Sequence, residues 1–476
     1  MHIRHGLLAS LSALALSACA TAPVSVASTV PPKATSGAFL SADNPAVAPT
    51  PLPAEWWRLY QDPVLDGLVS DALTANTDIR QSVARIDRAR AALRGARADR
   101  LPTTSIGASG GYARLPADQT PIGANRSDAS FSLGADVSYE VDLFGRVGKG
   151  IAAARGDVAA AQANADAVRV MVVADTTRAY ADAASAAARI TVARSIVDLL
   201  DETLRLTRRR HAAGLADGLA VARIEALREQ RAATIPAIEA ERSAALFALA
   251  TLTGRAPAQL PEISGKRDLP LEIVAPLPVG DGTQLLARRP DVRAAEARLQ
   301  ADTARIGVAR ADLYPRITLG GSVNSTANSV GSLFTGGPLG FFLGPLINWV
   351  FPNREPVRAR IDAANADAAQ SLAAFDGTVL TALQETETAL SNYSRSLEQR
   401  RSLAAALTAA QKAANITRAQ NREGVVNSLQ TLDAERTLAE ARAALADQDA
   451  LVSQRQIAVF RALGGGWTTN NQVAVK

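Results

Sequence analysis

One junction occurs twice in this chain. Residues 96–102 read ARADRLP and run into TTSIGAS; residues 309–315 read ARADLYP and run into RITLGGS, 213 positions later. Each time an Ala- and Arg-rich helical stretch stops at a proline, which lacks the N–H a helix needs. An alternation of small polar and apolar residues then begins. A chain that makes this helix-to-strand switch twice, in register, is an internal duplication. Its unit is far longer than a solenoid repeat, so each copy is a large substructure and not one stacked layer.

Around these junctions the apolar spacing is helical. Helices are predicted over 63–101, about 145–213, and 219–253 with Pro236 inside; the second copy repeats the order over 284–313, about 356–423 and 425–463. Residues Asp157 to Ala213 contain neither Gly nor Pro over 57 positions, which is roughly 85 Å of helix at about 1.5 Å per residue. The stretch is too polar to cross a membrane and too long for a globular interior, so it belongs in a bundle or a tube. Gly214 and Gly424 break the long helices, and Gly254 and Gly464 end the shorter ones. Aligning the glycines also aligns Leu219 with Leu429 and Glu225 with Glu435.

Between the helices lie four predicted strands: 103–112, 130–144, 316–325 and 340–351. From Phe131 to Leu143 apolar residues alternate with Ser132, Gly134, Asp136, Ser138, Glu140 and Asp142. A transmembrane barrel strand requires this period of two. An antiparallel sheet over a soluble core shows it as well. Length favours the membrane reading, since globular strands usually run about 5–6 residues. So does the gathering of the scarce aromatics (4% of the chain) in these windows. Four strands cannot close a barrel, and an open edge has no water to bond in lipid. Several chains must then share one barrel; two would supply eight strands and three would supply twelve.

The start of the chain is basic (Met1 to His5) and then apolar from Gly6 to Leu16, a run too short for a permanent span. Leu16, Ser17, Ala18 and Cys19 follow, Cys19 being the only cysteine. This looks like a bacterial lipobox, which makes Cys19 the expected lipidation site; Ala20 beside it resembles an outer-membrane address. Residues 20 to about 54 are rich in Pro, Ala, Ser, Thr and Val and read as an extended tether. Trp56, Trp57 and Tyr60 then read either as a membrane-interface anchor or as pins that fix where the chain joins its folded part; the second is expected.

The net charge of +5 is spread over mixed-sign helices, and the densest run is Arg208 to Arg210. No clustered basic face suggests nucleic acid. Catalysis would need a nucleophile with its base, a metal cluster or a phosphate cradle. His2 and His5 lie in the leader, leaving His211 alone, and with Cys19 acylated no Cys/His metal site can be assembled. Residues 145–150 (GRVGKG) lack the ending of a phosphate loop. No enzyme, cofactor or metal is expected.

The lipobox, the duplication, the doubled helix–hairpin–helix order and the closing ALGGGW at 462–467 together resemble the TolC-like outer-membrane efflux channels, in particular their lipidated NodT-type branch. VDLFGR at 141–146 and LDAER at 432–436 are similar to signatures of that family. The resemblance covers nearly all of the chain from Glu55 to Trp467. It implies a mainly α protein with a membrane β part: a homotrimer in which a twelve-helix α-barrel continues into a twelve-stranded β-barrel. It further implies partners, a periplasmic adaptor and an inner-membrane resistance-nodulation-division transporter, with outer-membrane lipid around the barrel and the helices in the periplasm. The organisation then expected is a leader over 1–18, a lipidated tether over 19–54, a first repeat over 55–254 with strands 103–115 and 128–144, an irregular equatorial linker over 255–282, a second repeat over 283–466 with strands 315–327 and 339–351, and a tail over 467–476.

Carried onto this sequence, the family's narrowest point falls on Leu429, Asp433 and Arg436, which share one helix face. Rings of leucine would close a pore by apolar contact, and rings of Asp and Arg would lock neighbouring helices. Ordinary interhelical packing is the competing reading. The tip turns expected to meet the adaptor are Gly214, Leu215, Asp217 and Gly218 in the first copy and Gly424 and Val425 in the second. Leu219 and Arg223 stand where the second copy has Leu429 and Asp433. Where the family often has Arg-Tyr before the turn, this chain has Arg210-His211 and Gln420-Asn421. The function implied is a passive exit duct for small solutes. The same duct in a type I protein or peptide exporter, and a coiled-coil scaffold without a pore, are the alternatives.

Overall fold

The computed structural model describes residues 37–466, apart from 43, 115, 120–122, 124, 336, 338, 424 and 427. Cys19, Gly424 and the tail from Trp467 therefore lie outside the described residues. In chain order the elements are β1 (Val47–Ala48), α1 (Pro63–Ala75), α2 (Thr77–Ala98), β2 (Thr103–Arg114), β3 (Ser127–Glu140), α3 (Arg146–Ala212), α4 (Gly218–Ala232), α5 (Ile235–Leu252), β4 (Leu277–Pro278), α6 (Gly282–Arg288), α7 (Pro290–Ala311), β5 (Arg316–Ala327), β6 (Leu339–Asn348), α8 (Glu355–Arg422) and α9 (Ser428–Ala462), with short 3₁₀ turns between some of them. Two compact units are present. One is formed by residues 85–161 with 294–376, the other by 37–84, 162–293 and 377–466.

The first unit holds the antiparallel sheet, in the order β2-β3-β5-β6. Its register sorts the side chains without ambiguity. Ile106, Ala135, Val323 and Phe341 face one side at one level, and Val137, Gly321 and Leu343 at the next. Tyr112, Leu133, Tyr139, Leu319, Leu339 and Ile347 share that apolar side, where Ile106, Phe341 and Leu343 are each more than 75% exposed. The opposite side carries Ser105, Ser109, Ser132, Asp136, Ser138, Ser322, Asn324 and Thr318. Leu346 and Phe342 are its apolar exceptions; Leu346 lies over Gly320, where a Cβ would come within 2.8 Å of it. β2 and β6 are edge strands, each bonded on one side only.

β3 stops at Glu140, short of the predicted Phe144. The alternation runs on, but Asp142 is diverted to start α3, accepting from the Val147 and Gly148 amides at 3.0 and 2.7 Å. Glu140 receives two bonds from Arg146, Gly145 turns the chain at φ +76°, and Phe144 stacks on Tyr314 at 4.5 Å. The VDLFGR stretch is thus a strand-to-helix corner.

α3 and α8 run uninterrupted for 67 and 68 residues, each about 100 Å of helix. The shorter helices are more broken than predicted. The stretch 63–101 divides at Asn76 and the stretch 284–313 at Arg289, both extended, with ψ of 135° and 121°. Pro290 forces the second break, since a residue before proline is pushed out of the helical region. Asn76 makes the first itself, its Oδ1 accepting from the Asp78 and Ile79 amides as an N-cap. The predicted helix 219–253 also divides, at Ala233 and Thr234.

The duplication reaches individual hydrogen bonds in the second unit. Asn76 Nδ2 donates to the Leu252 carbonyl at the end of α5 (3.0 Å), and Arg289 Nη1 donates to the Ala462 carbonyl at the end of α9 (2.8 Å). Both pairs are offset by the repeat. Here the core packs Trp56 against Phe460 (centroids 4.6 Å apart), with Trp57 and Tyr60 edge-on or beside them. Trp56 is fully buried, so these aromatics pin the chain and do not face a membrane. Asp62 caps α1 and accepts from Tyr180 Oη and Arg267 Nη1 at 3.0 and 2.9 Å, tying three segments together.

Candidate functional site

The site sits where α3 turns into α4 and α8 turns into α9. Gly214 has φ +73°, a conformation glycine adopts without a Cβ penalty. The Leu215 amide donates to the Arg210 carbonyl and the Gly214 amide to the His211 carbonyl, the paired bonds of a Schellman end. In the second copy the Val425 amide donates to the Gln420 carbonyl in the same way. Gly254 and Gly464 close α5 and α9 by the same pattern, at φ +69° and +68°. Asp217 is the N-cap of α4, accepting from the Ala220 amide at 2.8 Å, and His211 Nδ1 lies 2.8 Å from the Ala216 carbonyl.

The two turns meet. Leu215, Asp217 and Leu219 from the first and Val425, Leu429 and Leu432 from the second line one cleft of about 760 Å³. Leu215, Leu219, Val425 and Leu429 are all more than half exposed and form an apolar rim. Arg210 Nη1 donates to the Asn421 side chain, and Asn421 Nδ2 donates to the Val426 carbonyl at 3.2 Å, so one side-chain relay bridges the turns. Asn421 stands where the sequence analysis noted a departure, whereas Arg210 keeps the arginine expected there. Their joint role was not foreseen.

Behind the rim an ion pair is duplicated. Arg208 reaches Glu225 at 3.1 Å and Arg418 reaches Glu435 with two bonds, the members offset by the same 210 positions. The first pair is more than half exposed on both sides; Glu435 is 1% exposed. Hydrogen bonding to Glu435 holds the Arg418 guanidinium above its ordinary pKa against the opposing effect of burial. α3 provides the cover, with Leu199, Thr203 and Thr207 lining the hollow beside Arg418 and Glu435. Asp433 and Arg436 pair with each other at 3.0 Å along one helix, both exposed. Within a single chain they therefore form no lock between helices.

The profile of the family described as outer membrane efflux protein matches residues 68–255 and again 282–465. Outer membrane protein OprJ of Pseudomonas aeruginosa is 34% identical over 99% of this chain and 98% of its own length. The toluene efflux pump outer membrane protein TtgF of Pseudomonas putida is 31% identical over 87% of this chain and 85% of its own. Among solved structures, that of the outer-membrane channel OprN superposes with a TM-score of 0.85 at 33% identity, covering 94% of this chain and 99% of that one.

Proposed function

We infer, from the fact that this chain belongs to the outer membrane efflux protein family, that it is the outer-membrane channel of a tripartite efflux pump. It is a passive exit duct that carries small solutes across the periplasm and the outer membrane. One observation carries the reading: a sheet apolar on one side and polar on the other, with two unbonded edges, joined to helices of 67 and 68 residues. Lipid accepts the apolar side only if the edges are closed, and other copies of the chain supply the missing partners. Three copies give twelve strands, wide enough for a water-filled lumen lined by the serines, Asn324 and Asp136.

The apolar rim at the turns supports the proposed gate. In a symmetric trimer Leu429 would form a ring, with Asp433 and Arg436 one turn on. The exposed turn residues Leu215 and Val425 would be free to meet a periplasmic adaptor and, through it, an inner-membrane resistance-nodulation-division transporter. A lipid on Cys19 would hold the chain to the membrane while the barrel assembles. Names of relatives mention toluene and pyoverdine.

The experiment is planar-bilayer conductance of the purified full-length protein, with its oligomeric state measured by mass in the same detergent. Stepwise, ohmic channels from a trimer are expected. A trimer that never conducts, even with Leu429→Ala, would favour a scaffold instead.

A further inference from the structure

The apolar side of the sheet has limits that can be read from its register. Tyr139 marks the end next to the helices, and Tyr112, paired with Ala129, marks the far end. Ten positions of β3 separate those levels, about 33 Å along a strand. At the tilt of roughly 40° usual for membrane strands this is an apolar band about 25 Å tall, the height of an outer-membrane hydrocarbon layer between its aromatic girdles. Arg114 lies two residues beyond Tyr112 on the same side, which is headgroup level. It is exposed and its side chain makes no hydrogen bond or ion pair among the described residues, and neither does that of Arg126 just before β3.

Within the band, the segment after β5 folds back onto this apolar side. The 3₁₀ turn Gly331–Phe334 packs over Leu133, Ala135, Val323, Ser325 and Leu339, leaving a groove of about 400 Å³. Some of its polar groups are answered locally. Leu333 N donates to the Val330 carbonyl, Thr335 N to Ser332, and Ser332 N to Ser329 Oγ, while the buried Ser325 hydroxyl donates to the Leu333 carbonyl at 2.7 Å. Its side chains point the other way in character: Val330 and Phe334 are 55% and 76% exposed.

We propose that this face binds a phosphate-bearing lipid of the outer leaflet, Arg114 taking the phosphate and the groove beside Phe334 taking an acyl chain. The occupant is a lipid and not free phosphate, because the cation and the groove share one surface that the hydrocarbon layer covers. The inference rests on the reading of the apolar side as lipid-facing.

The test uses the full-length protein in two ways. In vesicles of brominated phosphatidylcholine, the emission added by Phe334→Trp is expected to be quenched by at least about half; unquenched emission would remove the acyl contact. By native mass spectrometry in neutral detergent, bisphosphorylated lipid A is expected to be retained about tenfold over phosphatidylcholine. Arg114→Gln should cost about tenfold in lipid A retention, the worth of one charged hydrogen bond, with Arg114→Lys restoring most of it. Phosphatidylcholine retention should not change. Lipid A retention indifferent to Arg114→Gln would overturn the headgroup site. Conductance of the same samples separates the failures: a conducting channel with neither effect sinks the lipid site alone, whereas a sample that neither conducts nor shows quenching sinks the membrane reading beneath it.

Discussion

The duplicated ion pair allows a controlled comparison inside one molecule. Arg208→Ala and Arg418→Ala remove the same side chain from the same place in each copy. The first leaves Glu225 in water, and an exposed pair contributes under about 1 kcal/mol. The second leaves Glu435, 1% exposed, without its partner under α3. Removing one member of a buried pair costs about 3–5 kcal/mol. Because Arg418 is itself 30% exposed, water reaches part of the site and about 3 kcal/mol is the appropriate figure. In hydrogen exchange by mass spectrometry that is about a hundredfold faster exchange in the facing ends of α8 and α9, against less than fivefold around α4 for Arg208→Ala. Arg418→Ala with Glu435→Gln should recover much of the loss, since a neutral amide no longer needs the cation. Equal effects in the two copies would refute the argument, and would mean that a neighbouring copy covers Glu225 as α3 covers Glu435.

Asp433→Ala and Arg436→Ala should each leave the denaturation midpoint almost unchanged, because their exposed intrahelical pair contributes only tenths of a kcal/mol, yet raise single-channel conductance; unchanged conductance in both would return them to plain packing. Gly214→Ala should cost about 1 kcal/mol for its left-handed backbone alone, whereas Gly254→Ala should cost at least about 3 kcal/mol, because its Cβ would also fall 2.7 Å from the Ala75 carbonyl oxygen; equal thermal shifts would contradict this. Burial holds the Asp182 carboxyl above its ordinary pKa despite the bond from Gln454. The folded state then binds that proton more tightly than the unfolded chain, so ionisation at neutral pH works against folding. Asp182→Asn should therefore be more stable than wild type at pH 7, and the gain should vanish as pH falls through the raised pKa to that of a free carboxyl; a constant difference across pH would point to packing.

Much of this arrangement was legible because its signals are local. Pro102 and Pro315 ended helices, Gly214 and Gly254 turned them, and a period of two identified the sheet sides. What escaped needed distant partners. Asn76 divides a helix because the Leu252 carbonyl and two local amides draw its side chain, and nothing in its neighbours announces that. Asp142 to Phe144 kept the alternation of a strand after the backbone had left the sheet, since Asp142 was required by the next helix. Glu225 and Glu435 were aligned correctly by the glycines, but their unequal burial depends on where α3 lies. Asn421 was noticed only as a departure from a pattern, and only coordinates reveal that Arg210 bonds it.

Trp56 lies against Phe460, and a Cβ on Gly465 would strike its indole ring at 2.6 Å. An aromatic near the start of the described residues is thus sealed by ones near their end. A polypeptide delivered from its beginning lacks the stacked ring of Phe460 until its final helix has arrived. Fragments broken off before Phe460 would keep the indole uncovered, a mark by which proteases and chaperones could tell unfinished chains from finished ones.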